Sequence, residues 1–354
     1  MKILFSENED FYRKLGLKDC ESYNYYFDGM RLYKKKSDYF QRYDLFVCAF
    51  YTLPHNTIIT LKCKNVGIKT ALCADGIFEF SNAFLNPMHK KYNVKLCHPI
   101  LQDFYICVGK QESKYFRTFK PTVDYLPMRL ISNKNIISLP DSIKILITTA
   151  NTAYFSEAEL SRLLTILLGI ISVLNNRNIN FDLRIFDEKL LSPISIKYPN
   201  LHNNISGGFE DILGDYSCVI TTTSSIMIPS MYHQRAVCQI IYRDFPLIIQ
   251  SGWNISSVEM FESSLSSFLN MDKDRMDIQT RLLLSYSESL DLTDVLNKIM
   301  NEKVNSSNQK VFVNRVYYNM INSIFNFNFE FSIRKLYRKV RRNELIKKIR
   351  LIIK

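Results

Sequence analysis

Residues 69–80 read KTALCADGIFEF: an apolar run that stops at Asp75-Gly76 and sets a second carboxylate, Glu79, among apolar neighbours, with Asn82 close behind. An aspartate that ends a buried strand stands at the carboxyl edge of its sheet. There it can accept a proton from a substrate hydroxyl if its surroundings tune its pKa. The same spacing also describes a plain Asp-Gly turn. A second cluster, DYSCVITTTSSIMIPSM, puts Thr221, Thr222, Thr223, Ser224 and Ser225 between a strand-like run and a helical pattern. Capping a helix takes one such residue. Five in succession exceed that need, and hydroxyls with backbone N–H groups at a helix start form a site for an anion such as phosphate. A third stretch, TTANTAYFSE, sets Thr148, Thr149, Asn151 and Thr152 at the end of another strand, on the sheet edge where Ser224 lies and where a nucleotide would sit.

Two histidines are candidates for proton transfer or acceptor binding: His98 in CHPI and His202 after KYPNL. A lone histidine is more often a structural hydrogen-bonding residue. Asp272-Lys273-Asp274 has the spacing of a metal-binding Asp-x-Asp but sits in a charged helical segment, so it is read as solvated surface, and no metal site is expected. The sequence has neither a GxGxxG nor a P-loop, which argues against dehydrogenases and NTPases.

The elements that must position these residues alternate between apolar runs and helical patterns, the signature of parallel α/β architecture. Strands are expected at 44–50, 68–75 and 103–109, with a helix over 54–67 closed by Gly67 and another after 109. Turn signals place a domain boundary between 130 and 140. A second series follows: strands at 143–149, 181–187, 202–208, 217–222 and 236–242, a helix over 156–177 with Ser156 and Glu159 as a capping box, and a helix over 224–233. From 256 to about 325 the pattern is helical. The expected domains are 1–135, 136–305, and a helical extension over 306–354.

With 354 residues, 47% hydrophobic and 23% charged, the chain is long enough for two globular domains. Its eight cysteines have no CxxC spacing and several lie in apolar runs, which fits a reducing cytosol. The apolar stretch at the N-terminus is too short for a signal peptide, and the 12-residue LLTILLGIISVL is too short to span a bilayer. Net charge is +12, of which residues 333–354 carry +9. Those residues form a basic amphipathic pattern that reads as a peripheral anchor on the anionic inner face of a cytoplasmic membrane, or as a terminal helix packed on the body. Their basic residues are not interleaved with stacking aromatics, so no nucleic-acid partner is expected.

The order of these motifs resembles the bacterial sialyltransferases and polysialyltransferases of GT-B fold, which show an acidic-acidic-Gly motif, a His-Pro motif and a Ser-Ser/Thr motif. Ala74-Asp75-Gly76, with Glu79 after it, matches the first in its last two positions, and Ser224-Ser225 matches the third. Where the His-Pro motif is expected, this sequence has Tyr198-Pro199, with His202 three residues beyond; His98-Pro99 lies in the first domain. The resemblance implies two Rossmann-like domains facing each other across a cleft. It further implies a glycosyltransferase of capsule or lipopolysaccharide synthesis that needs no metal or cofactor and transfers a sugar from a nucleotide-sugar, of CMP-sialic acid or CMP-Kdo type, to a glycan or glycolipid. Asp75 would be the general base, with Glu79 also among the catalytic residues and His202 donating a proton to the leaving phosphate. Thr149, Asn151, Thr222, Thr223, Ser224 and Ser225 would hold the donor, and Asn82 and His98 the acceptor. The departure at the His-Pro motif leaves room for UDP-sugar transferases. A nucleotide-sugar epimerase of the same architecture, or a non-enzymatic membrane-surface binding protein, are the alternatives.

Overall fold

A computed structural model of the chain describes residues 1–50, 53–90 and 95–303. The basic segment 333–354 and the rest of the expected extension lie outside the described residues. Two parallel sheets carry the fold. The first contains β1 (Lys2–Phe5), β2 (Asn24–Tyr26), β3 (Leu45–Cys48), β4 (Lys69–Cys73), β5 (Phe104–Val108) and β6 (Thr122–Tyr125), in the order β2-β1-β3-β4-β5-β6. The second contains β7 (Ile145–Thr148), β8 (Phe181–Arg184), β9 (Cys218–Thr222), β10 (Ala236–Ile240) and β11 (Trp253–Ile255), in the order β11-β10-β9-β7-β8. Every strand pair is parallel.

Parallel neighbours need crossover connections, and these cover both sheet faces with helices. That is why LFVC, ILIT, CVITT and AVCQI are buried at every position. The helix Pro54–Asn65 starts on a proline, which lacks the N–H that a first turn leaves unbonded anyway, and ends near Gly67, at φ +79°. The helix Glu157–Asn176 is capped by Ser156, whose Oγ accepts from the Glu159 N–H at 3.3 Å. A Cβ on its Gly169 would come within 2.2 Å of Val258, so a side chain there would drive apart this helix and the helix Val258–Leu269.

Four strands, β1, β2, β6 and β11, were not expected from sequence. Conversely, the strand expected at 202–208 does not form; that stretch contributes a single bridge, Asn203 to Leu183. The helix expected from 224 begins only at Met227 and is six residues long. The helix Leu292–Asn301, assigned by sequence to the second domain, buries Leu292, Val295, Leu296 and Ile299 in the same core as Ile3, Val47 and Ile106 of the first sheet. The segment between the sheets is pinned to the second domain by the buried Arg235, which donates to the carbonyls of Ile137 (2.5 Å) and Ser138 (2.6 Å). Among the described residues, no helix is long and apolar enough to cross a membrane.

Candidate functional site

In the second sheet the strand order reverses between β7 and β9, so the loops leaving those strands flank a crevice at the carboxyl edge. Open parallel sheets bind ligands at such a point. The two loops are tied together by the Ala150 N–H, which donates to Thr222 Oγ1 at 2.8 Å. The loop leaving β4 in the first domain faces them, and the three enclose a cleft of about 360 Å³. Glu79, Asn82 and Arg129 form one wall; Asn151, Thr152 and Thr223 to Ser225 form the other.

The approach across this cleft is close. Ser225 Oγ lies 3.5 Å from the Ile77 nitrogen, and a Cβ added to Gly76 would be 3.2 Å from the same oxygen. The glycine of Asp75-Gly76 therefore admits the serine from the opposite domain. The Asp75 side chain is 40% exposed and is not among the residues lining the cleft; Arg129, which does line it, donates to the Asp75 backbone carbonyl and lies 3.4 Å from its Oδ2. A glycine turn from one domain and a hydroxyl pair from the other thus meet at one crevice.

Ser224 and Ser225 lie in a turn before the helix: Met227 and Ile228 donate to their carbonyls at 3.2 Å. A six-residue helix adds little dipole, so the turn's own N–H groups and hydroxyls are what an anion would meet. Neither the Ser224 nor the Ser225 N–H donates to a described residue. Arg129, half-exposed on the facing wall, brings a cation to the same space.

Glu79 lines the cleft but is not a free carboxylate. Arg243, from the loop after β10, donates to it at 2.7 Å, to Glu159 at 3.2 Å, to Ser81 Oγ at 3.1 Å and to the Thr152 carbonyl at 2.7 Å. Ser81 also donates to Glu79. Burial pushes the Glu79 carboxyl above its ordinary pKa, against the opposite pull of Ser81 and Arg243. This geometry makes Glu79 a tether between domains.

Other expected site residues are placed elsewhere. His202 is at the amino-terminal end of the second sheet, 3.4 Å from Asp182, which also pairs with Lys144 just before β7. Parallel strands put that end opposite the crevice, so His202 cannot reach a leaving group there. His98 is enclosed in the first domain's aromatic cluster of Phe78, Phe84 and Phe116. Its Nδ1 faces the Leu96 carbonyl (2.8 Å) and so donates, and its Nε2 accepts from Tyr115 Oη (2.9 Å), leaving neither nitrogen for an acceptor. Thr149 and Thr222 are buried, and the Thr222 hydroxyl is taken by Ala150. Thr223 reaches the wall, with its Oγ1 accepting from Gln239 Nε2 at 3.0 Å. Asn82 remains in the wall, its Oδ1 accepting from Asn86 at 2.8 Å. Arg129 and Arg243 were not anticipated from sequence. The signal for Arg243 was its place directly after the apolar run AVCQIIY; Arg129 lay hidden among the turn residues of the domain boundary.

No protein-family model matches the sequence, and no curated protein does. Solved structures do match by shape. A Listeria monocytogenes protein described as a UDP-N-acetylglucosamine 2-epimerase is similar at 11% identity and a TM-score of 0.57, over 84% of this chain and 95% of that one. The UDP-GlcNAc 2-epimerase of Neisseria meningitidis, bound to UDP-GlcNAc, is similar at 9% identity and 0.53, over 85% and 99%. That of Methanocaldococcus jannaschii, in complex with UDP-GlcNAc and UDP, is similar at 11% and 0.51, over 80% and 99%. At such identities the likeness establishes the fold: two Rossmann-like domains facing each other across a cleft, the GT-B architecture.

Proposed function

We propose that this chain is a glycosyltransferase that holds a nucleotide-sugar in the interdomain cleft and passes its sugar to an acceptor hydroxyl. Breaking the sugar–phosphate bond leaves negative charge on the phosphate. The free N–H groups and hydroxyls of Ser224 and Ser225, with Arg129 opposite, are donors already aimed at where that charge grows. Asp75, beside the cleft-lining Arg129 and next to Gly76, takes the proton from the attacking hydroxyl. The observation that carries the reading is the meeting of the Asp75-Gly76 turn with Ser225 across the domain boundary.

The donor is a UDP-sugar rather than the CMP-linked sugar expected from the sequence resemblance. Support for this comes from the two structurally similar enzymes that hold UDP-GlcNAc. Those neighbours also raise a second reading, a nucleotide-sugar epimerase. Inverting a ring carbon needs one group to remove a proton and another to return it on the opposite face. Arg243 holds the buried Glu79, and both histidines considered from sequence lie away from the cleft, so Asp75, exposed beside Arg129, is the one carboxylate of this loop proposed for proton transfer, one group where epimerisation calls for two.

The test has two parts. Thermal-shift measurements with UDP, CMP and GDP should show the largest rise with UDP, since a ligand bound only by the native state stabilises it. Asp75→Asn should then abolish sugar transfer while leaving the UDP shift intact. Conversion of UDP-GlcNAc in the absence of any acceptor would replace transfer with epimerisation.

A further inference from the structure

A second cavity, of about 290 Å³, opens on the seam between the domains. Gln111 reaches it from the helix Gly109–Phe116, Leu247 and Gln250 from the loop after β10, and Leu282, Ser285 and Tyr286 from the helix Lys273–Ser287. No charged side chain is among the described residues lining it. The amides of Gln111 and Gln250 are exposed and bond to no described residue. Tyr286 is 2% exposed, and its hydroxyl has no hydrogen-bond partner among the described residues. Leaving such a group unpaired costs about 1–3 kcal/mol. The position of its ring is fixed from below: Gly109, at φ +79°, would place a Cβ 2.5 Å from Tyr286 Cδ1, so a side chain at 109 would displace the tyrosine.

We propose that this cavity binds a neutral saccharide unit of the acceptor glycan, away from the reacting hydroxyl; this rests on the glycosyltransferase reading. Sugar hydroxyls each donate and accept, as do the two free amides. Ser285 already donates to the Leu282 carbonyl at 2.8 Å, so its oxygen is left to accept. Leu247 and Leu282 offer an apolar wall to the C–H face of a sugar ring. A wall without cations selects against phosphorylated or carboxylated sugars, and the volume is at the small end of ligand cavities. The position suits an extended acceptor. Leu247 also lines the narrow passage beside Arg243 and Glu79, and Glu79 in turn lines the donor cleft. Donor cleft and cavity therefore lie on one seam with the Arg243–Glu79 pair between them, and affinity for a remote unit helps orient the reacting one.

The experiment is binding of the full chain, without donor, to an array of neutral and acidic oligosaccharides, alongside the UDP thermal shift. Neutral members should bind. The double variant Gln111→Ala, Gln250→Ala should weaken them by about tenfold or more, the loss of two hydrogen bonds, with the UDP shift unchanged. Binding of acidic members alone, of none, or binding indifferent to the double variant overturns the proposal. Absence of a UDP shift together with an active Asp75→Asn would sink the transferase reading, and the array result would still decide saccharide binding.

Discussion

Arg243 Nη1 lies 2.7 Å from Glu79 Oε1, and the two residues belong to different domains. Arg243 also binds Glu159, and the three side chains are 8%, 14% and 7% exposed. One buried cation thus holds two buried carboxylates at the seam. Removing it strands both, and breaking a buried pair from one side costs about 3–5 kcal/mol. Arg243→Met should lower the denaturation free energy by that order, read from urea unfolding. Arg243→Lys should recover only part of the loss, because an ammonium lacks the planar fork that serves both carboxylates.

Arg129 is the cation on the facing wall of the cleft. Arg129→Ala should weaken UDP binding by about tenfold to a hundredfold, the scale of a charged hydrogen bond. Its side chain is 43% exposed, so the melting temperature of the free protein should barely move. Titration calorimetry with UDP checks the first point and a thermal melt the second. An unchanged affinity would remove Arg129 from the phosphate site.

Gly76 is placed so that an added methyl group would be 3.2 Å from Ser225 Oγ and 3.5 Å from Arg129 Nη2. Gly76→Ala should press on Ser225 and meet Arg129 at ordinary contact distance. Transfer should fall by about tenfold or more, since misplacing reacting groups by fractions of an ångström is costly, whereas folding stability should change by less than about 1 kcal/mol. Steady-state rates against urea midpoints separate the two effects.

Glu112 is fully buried, and its carboxylate oxygens accept from Tyr105 Oη at 2.6 Å and from the Phe78 N–H at 3.1 Å. Burial raises its pKa to about 7. The folded state therefore favours the protonated form. Relative to Glu112→Gln, the stability of the native protein is fully present below the ordinary carboxyl pKa and declines as pH rises through about 7. The total loss is on the order of 3 kcal/mol. Urea midpoints of both proteins between pH 4.5 and pH 8 should diverge toward the alkaline end; parallel curves would place the ionised carboxylate comfortably in its site.

The central strands were legible because they are buried on both faces: the cores of the runs at 44–50, 68–75, 103–109, 143–149, 217–222 and 236–242 all became strands. The strands that escaped notice are mostly edge strands. NYY, TVDY and WNI close the sheets at β2, β6 and β11, where one side has no neighbour and three or four residues suffice, so no long apolar run marks them. At 202–208 an expected strand reduced to one bridge, and the arginine of β8 instead donates to the carbonyls of Asn204, Ser206 and Gly207.

By itself, the sequence determined the layered α/β plan, the Asp75-Gly76 stop and the run of hydroxyl residues ending at Ser225, because each is written in neighbouring residues. Only the tertiary structure decided which of them share a crevice. It set Ser225 against Gly76 from 149 positions away in the chain, committed Glu79 to Arg243, and sent His202 to the far end of its sheet. Periodicity records which face of an element is buried. It carries no record of which two elements, distant in the chain, close on each other, since that follows from the packing of both domains along their common seam.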